Sequence, residues 1–137
     1  MQDIKKVFDD YYEAVYDTDR NRALKRVDLA LIEGILPEDI VFKVVIPSIQ
    51  KLITDLVDGH RANLSQHYIC SQVSGEVVEL LLPLFKSGGE RKGTIILGTS
   101  RGDFHGLGKK IVGGCLSANI PTCQIKCHLS SEILYLS

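Results

Sequence analysis

The chain has 137 residues, 45% hydrophobic and 24% charged, with a net charge of −1 at pH 7. That composition excludes a disordered chain, and so small a charge gives no general pull toward nucleic acid or anionic lipid. Met1–Lys6 lacks the apolar stretch of a signal peptide. The longest apolar run, Val77–Phe85, is interrupted by Glu79 and Pro83, so a soluble cytoplasmic protein with reduced thiols and no membrane partner is expected.

Ile4, Val7, Phe8, Tyr11, Tyr12 and Val15 recur at helical spacing, and Asp17-Thr18-Asp19 breaks the pattern with an N-cap for the next element. A second helix is predicted from about Arg20 to Glu33, apolar along Ala23, Leu24, Val27, Ala30 and Leu31, with Gly34 as its terminator. Leu36-Pro37-Glu38-Asp39 opens a third, with proline in the first turn and two acids at the positive end of the dipole. This helix runs through Val44 and Val45. Pro47 either kinks it or begins the next piece, which continues through Ile49, Leu52, Ile53 and Leu56 to Gly59. The last long helix is predicted to start near Asn63 or Ser65 and end at about Phe85. Amphipathic helices with short connections predict a four- or five-helix bundle over residues 1–88.

At Ser87-Gly88-Gly89 the character changes. Thr94-Ile95-Ile96-Leu97 has the β-branched, apolar signature of a buried parallel strand. A glycine-rich turn, a helix of about Leu107 to Asn119 and a second strand, Thr122 to Leu129, follow. This is one strand–helix–strand unit, the opening half of a nucleotide-type α/β fold.

Ligands of such sheets gather outside the carboxyl ends of the strands, which directs attention to residues 98–108. A phosphate-binding loop fits poorly: Gly108-Lys109 matches its end, but Asp103 stands where its first glycine belongs and Lys110 where it needs a hydroxyl. No window supplies a dinucleotide-binding Gly-x-Gly-x-x-Gly. Asp103 and His105, two apart on a tight turn, suit a metal-ligating imidazole oriented by a carboxylate, with Gly106 and Gly108 leaving room for a bulky ligand. On residue types alone, His105 as a helix cap and Asp103 as a turn residue explain the pattern equally well.

The run Gly102-Asp103-Phe104-His105-Gly106-Leu107-Gly108-Lys109-Lys110-Ile111-Val112 resembles the cobalamin-binding signature Asp-x-His-x-x-Gly. That signature belongs to corrinoid proteins of methyltransferase systems and to the cobalamin module of methionine synthase. The resemblance implies an α/β protein, an N-terminal helical cap over 1–88 followed by a truncated Rossmann-like B12-binding domain over 89–137. It implies that His105 is the lower axial ligand of cobalt, replacing the cofactor's dimethylbenzimidazole, with Asp103 hydrogen-bonded to it. Gly108 is then the close-approach position, and Gly98, Thr99, Ser100, Phe104, Gly106 and Leu107 complete the cofactor-binding set. Gly34–Ile40 and Ile46–Ile49 are similar to the helical cap that precedes such modules. Photoreceptor regulators of the same group carry Trp, nine residues, then Glu-His at the cofactor's upper face. The matching positions here are Leu56, Gln66 and His67, so of the three only His67 is kept, as a candidate upper-face residue.

The resemblance runs from about residue 20 to residue 120. The later Ser-x-Leu and Gly-Gly motifs that enclose the displaced base find no match after Pro121. A C-terminally shortened module is therefore expected, with Thr122–Leu129 and Ile133–Leu136 forming a hairpin or pairing with another subunit in a homodimer that seals the short sheet. Cys123, Cys127 and His128 suggest a zinc site, but strand alternation reads the cysteines as half-buried apolar residues. The expected function is a corrinoid methyl carrier with histidine-on, base-off cobalt, serving partner methyltransferases and not catalytic alone. The alternatives are a cobalamin carrier or sensor without methyl transfer, and a domain that no longer binds the cofactor.

Overall fold

The computed structural model of the chain describes residues 3–59, 62–85, 93–98, 106–119, 123–129 and 132–135. The chain divides into two units, Met1–Leu81 and Leu82–Ser137. The first is helical, and its helix ends are written in short polar side chains. The Asp3 carboxylate accepts the Lys5 N–H at the start of α1 (Ile4–Tyr16), and Asp19 accepts the Arg22 N–H at the start of α2 (Arg20–Ile32). Each satisfies a donor that the helix itself leaves orphaned. Both helices end in the same way. The residue past the cap takes a left-handed conformation, and the next N–H reaches back to the last turn: Asp19 to Ala14 O at 2.8 Å, and Ile35 to Ala30 O at 3.0 Å. Gly34 fills the left-handed position after α2 at φ +85, whereas Thr18 fills it after α1 at φ 60, where a β-branched side chain is strained.

Pro37 opens α3 (Pro37–Ile40), which passes without interruption into a π turn at Val41–Val45 and then α4 (Ile46–Val57). Pro47 has no N–H to give the Lys43 carbonyl, and its ring crowds that group. The helix answers by widening. Ile46 N–H bonds Val41 O across the π turn, and the Ser48 hydroxyl donates to Val44 O at 2.7 Å. Pro47 therefore neither breaks the rod nor starts a separate one. The final helix, α5 (Leu64–Leu81), begins with a reciprocal cap in which Asn63 Oδ1 accepts the Gln66 N–H and Gln66 Oε1 accepts the Asn63 N–H, each at 2.9 Å. It ends at Leu81, short of the Phe85 expected from the pattern, because Pro83 draws Leu82–Leu84 into a 3-10 turn.

These helices form a bundle. α1 packs against α2, α4, α5 and the π turn, and Val7, Tyr11, Ala14 and Val15 on its inner face are fully buried. Leu52 of α4, Val44 and Val45 of the π turn, and Val77, Val78 and Leu81 of α5 complete the core. Polar contacts also lie inside it: besides Ser48 on Val44 O, Tyr11 and Ser74 share a hydrogen bond of 3.3 Å.

The second unit contains β1 (Gly93–Gly98), α6 (Gly106–Asn119), β2 (Cys123–Leu129) and β3 (Glu132–Tyr135). β1 and β2 are parallel, in register from Gly93↔Cys123 to Gly98↔His128. β3 returns antiparallel to β2, from Leu129↔Glu132 to Lys126↔Tyr135, so the expected hairpin forms and the strand order is β1-β2-β3. α6 carries Gly113 and Gly114, both buried. A Cβ on Gly114 would stand 2.3 Å from Leu82 Cδ2 and 3.6 Å from Phe85 Cε2, so the bare backbone is what lets α6 lie against these two side chains. Among the described residues, no helix is long and apolar enough to cross a membrane.

Candidate functional site

Two parallel strands need a crossover, and α6 supplies it here. The connection from β1 to α6 consequently lies at the carboxyl edge of the sheet. Gly98 is the last residue of β1, and Gly106 is the first of α6. Leu107 is half-buried and Gly108 exposed in the opening turn of α6. A Cβ added at Gly98 or Gly108 would meet no described atom within 4 Å. Among the described residues, then, nothing crowds either end of the connection, which suits the approach of a bulky ligand to the backbone. The first turn of α6 also offers N–H groups that the helix cannot satisfy and a partial positive charge, which favour polar ligand atoms.

Thr99, Ser100, Asp103, Phe104 and His105 lie outside the described residues. Of the sequence-derived set, the structure brings Gly98 and Gly106–Gly108 to the two ends of one connection. His67 belongs to the other unit. Among the described residues, no three His, Cys, Asp or Glu side chains come together as a metal site. The side chains of Cys123, Cys127 and His128, the zinc alternative, are not among those described.

His67 is in the first turn of α5, its N–H bonded to Asn63 O at 3.1 Å. It is half-buried, and large apolar side chains with no cover are close to it in sequence: Leu64 is 73% exposed and Tyr68 62% exposed, with Val57 at the end of α4 78% exposed. Gln66, in the position that matches the acidic member of the Glu-His pair, is occupied elsewhere. Its Oε1 closes the helix cap, and its Nε2 donates to Tyr16 O at 2.8 Å, tying the start of α5 to α1.

A second tie was not foreseen. The Tyr12 hydroxyl donates to Asp55 Oδ2 at 2.5 Å, and Lys51 Nζ reaches the same oxygen at 3.0 Å while lying 4.6 Å from the centre of the Tyr12 ring. Desolvation, then the hydrogen bond to Asp55 and that carboxylate's charge, push the Tyr12 phenol well above its ordinary range. Tyr12 also stacks on Phe8 and meets Tyr16 at a tilt of 40°, with ring centroids 6.0 Å apart on each side. The signal was present as the i, i+4 spacing of Phe8, Tyr12 and Tyr16, but the partner on α4 is not legible from one helix. This network holds α1 against α4, and Gln66 ties the start of α5, next to His67, to the end of α1.

No protein-family profile matches the chain. Among curated proteins, the chain is similar to monomethylamine corrinoid protein 1 of Methanosarcina mazei, with 29% identity over 119 residues. The aligned part covers 84% of this chain and 54% of that protein, so the chain spans about half the length of this relative.

Proposed function

We propose that the chain is a cobalamin-binding corrinoid protein of a methyltransferase system. The observation that carries this reading is where the run 103–108 falls: between the end of a parallel strand, Gly98, and the opening turn of the crossover helix, Gly106–Gly108. Similarity to a corrinoid protein over most of the chain supports it from a separate direction.

In this reading, residues 1–88 form a helical cap and residues 89–137 a Rossmann-like cobalamin-binding domain. The cofactor supplies methyl-group chemistry at its cobalt. His105 ligates the metal from the lower face. Asp103 accepts the other imidazole N–H, which selects the tautomer and raises the basicity of the ligating nitrogen. Gly98 and Gly108 keep the backbone bare where the macrocycle approaches. Thr99, Ser100, Phe104, Gly106 and Leu107 complete the cofactor-binding set of this reading. We assign His67 to the upper face, supported by its half-burial in the first turn of α5, between the exposed Leu64 and Tyr68 in sequence, and by the Gln66 tie of that turn to Tyr16 O. The partners are methyltransferases that load and unload the cofactor, and the chain alone completes no reaction.

Titrating cobalamin with the protein tests the reading. The wild-type chain is expected to shift the visible absorption of the cofactor. His105→Ala is expected to lose that shift and bind at least about tenfold more weakly, the usual scale for removing ligand-shell groups. Unchanged affinity and spectrum in His105→Ala would reject the ligand assignment. Loading of the methyl group by a partner methyltransferase separates the shuttle from a carrier or sensor that does not exchange methyl groups.

A further inference from the structure

Two adjacent glycines, Gly113 and Gly114, stand buried in the interior of α6. Glycine in a helix interior weakens the helix, because its backbone costs more to order and it brings no side chain to pack. Unlike Gly106 and Gly108, these two open no turn, so what they provide is closeness. A Cβ on Gly114 would stand 2.3 Å from Leu82 Cδ2, where ordinary contact begins at 3.4 Å, so one side would have to give by about 1 Å. Leu82 belongs to the same unit but precedes β1 in the chain, in the 3-10 turn Leu82–Leu84. Its backbone has little freedom there: Pro83 narrows the choices of the residue before it, and the Phe85 N–H donates to Leu82 O at 3.2 Å. The ring of the buried Phe85 would lie 3.6 Å from the same Cβ, an ordinary contact, so of the two it is Leu82 that sets how near α6 comes.

We propose that Leu82 is a positioning residue for the cofactor site. In this role, which rests on the cobalamin reading, it sits in the notch at Gly114 and fixes where α6 lies, and so where the opening turn Gly106–Gly108 stands. Gly114 is about 9 Å along the helix from Gly108. Leu107, Ile111 and Gly114 recur at i, i+4 and i+7, so one face of α6 carries both the seat and a residue of the proposed cofactor-binding set. Leu107 and Ile111 are half-buried along that face. Close-packed contacts transmit a displacement instead of absorbing it. A shift at Gly114 therefore reaches the carboxyl edge of the sheet, where the groups that hold a ligand must keep their places to within about 0.5 Å.

Titration with hydroxocobalamin, followed by visible absorption up to saturation, tests this role. Gly114→Ala puts a methyl group into the notch. It is expected to weaken binding about tenfold, the low end for groups that support a ligand, and to change the spectrum of the saturated protein. Leu82→Val removes Cδ2 and leaves its outermost carbons near the Cγ position, 3.7 Å from the new methyl group, an ordinary contact. Adding it to Gly114→Ala is expected to restore both affinity and spectrum. A merely structural role would lower the fraction of folded protein and leave the affinity and spectrum of the folded part unchanged. Should Gly114→Ala fail to fold, Leu82→Ala empties the notch instead, and is expected to weaken binding several-fold with the helical circular dichroism intact. Wild-type affinity and spectrum in Gly114→Ala or in Leu82→Ala would overturn the positioning role and leave the cobalamin reading in place. So would a loss in Gly114→Ala that Leu82→Val does not restore. No binding by the wild-type chain would overturn the cobalamin reading, and the positioning role with it.

Discussion

The two units of the chain divide labour in a way their residues make explicit. The helical unit invests in cohesion, with an apolar core shared by all its long helices, side-chain caps at the start of α1, α2 and α5, and polar ties from Tyr12 and Gln66 across helix boundaries. The sheet unit invests in space. Its glycines leave room at Gly98 and Gly108 and closeness at Gly114, and its described strands close on one side only. The corrinoid proposed for this chain would call for the second kind of construction, in which bare backbone gives a bulky ligand access. The comparison teaches that glycine has opposite roles within fifteen or so residues of one segment. At Gly98 and Gly108 a methyl group would meet no described atom within 4 Å; at Gly114 it would collide with Leu82.

That contrast can be broken by substitution, and the largest effect is expected in the helical core. Leu52→Ala removes a side chain with no exposed surface and should cost about 3 kcal/mol in urea unfolding of the helical unit. A loss below about 1 kcal/mol would mean that α4 is not seated in the core as described. In the sheet unit, Gly114→Val should cost about 2 kcal/mol, since Leu82 must leave its place. Gly114→Ala should cost less, because alanine regains about 1 kcal/mol of helix propensity. If the division of labour is right, both Gly114 variants weaken cofactor affinity and leave the unfolding of the helical unit unchanged.

Smaller effects sharpen the picture at the helix ends. Asn63→Ala removes half of the reciprocal cap of α5 and should cost about 1 kcal/mol, visible as faster amide exchange in the first turn around His67. Thr18→Gly runs the other way. It relieves a β-branched residue at φ 60 and should raise stability by somewhat under about 1 kcal/mol, the strain recovered being partly offset by the freer unfolded chain. The pH dependence is gentler still below pH 10. Burial raises the Tyr11 phenol, and burial with Asp55 raises that of Tyr12, so both stay protonated in the folded helical unit. The stability they protect is whole below the ordinary phenol value of about 10 and falls as pH rises beyond it, where the unfolded chain ionises first. Tyr12→Phe should flatten that alkaline fall in a denaturation series, and an unchanged slope would remove Tyr12 from the account.

Much of this construction was legible in the order of residues. The helix starts at Pro37 and Asn63, the stop at Gly34 and the strand around Thr94–Leu97 follow from local chemistry that one segment carries by itself, whereas that chemistry leaves the last strands a choice between a hairpin and pairing with another subunit. What was not legible depends on partners distant in sequence or on a choice between two local solutions. Pro47 permits a kink, a restart or a widened turn, and only the packing of Val41, Val44 and Val45 into the core decides for the last. Thr18 gives no sign that it takes a position usually held by glycine. Gln66 stands where the upper-face motif has its glutamate, and nothing in the sequence says that its side chain is spent on a cap and on Tyr16 O. For the candidate site, the sequence points to Asp103 and His105, and the structure adds the two ends of the connection that carries them.

The account rests most heavily on the proposed bond between a histidine nitrogen and cobalt, and such a bond has its own spectrum. Protein labelled with nitrogen-15 histidine and loaded with cob(II)alamin is to be examined by electron paramagnetic resonance. Ligation by His105 predicts that the nitrogen splitting changes from a triplet in unlabelled protein to a doublet in labelled protein, and that His105→Ala abolishes the doublet. A triplet that persists after labelling would leave the cofactor's own base on the metal and contradict the central claim.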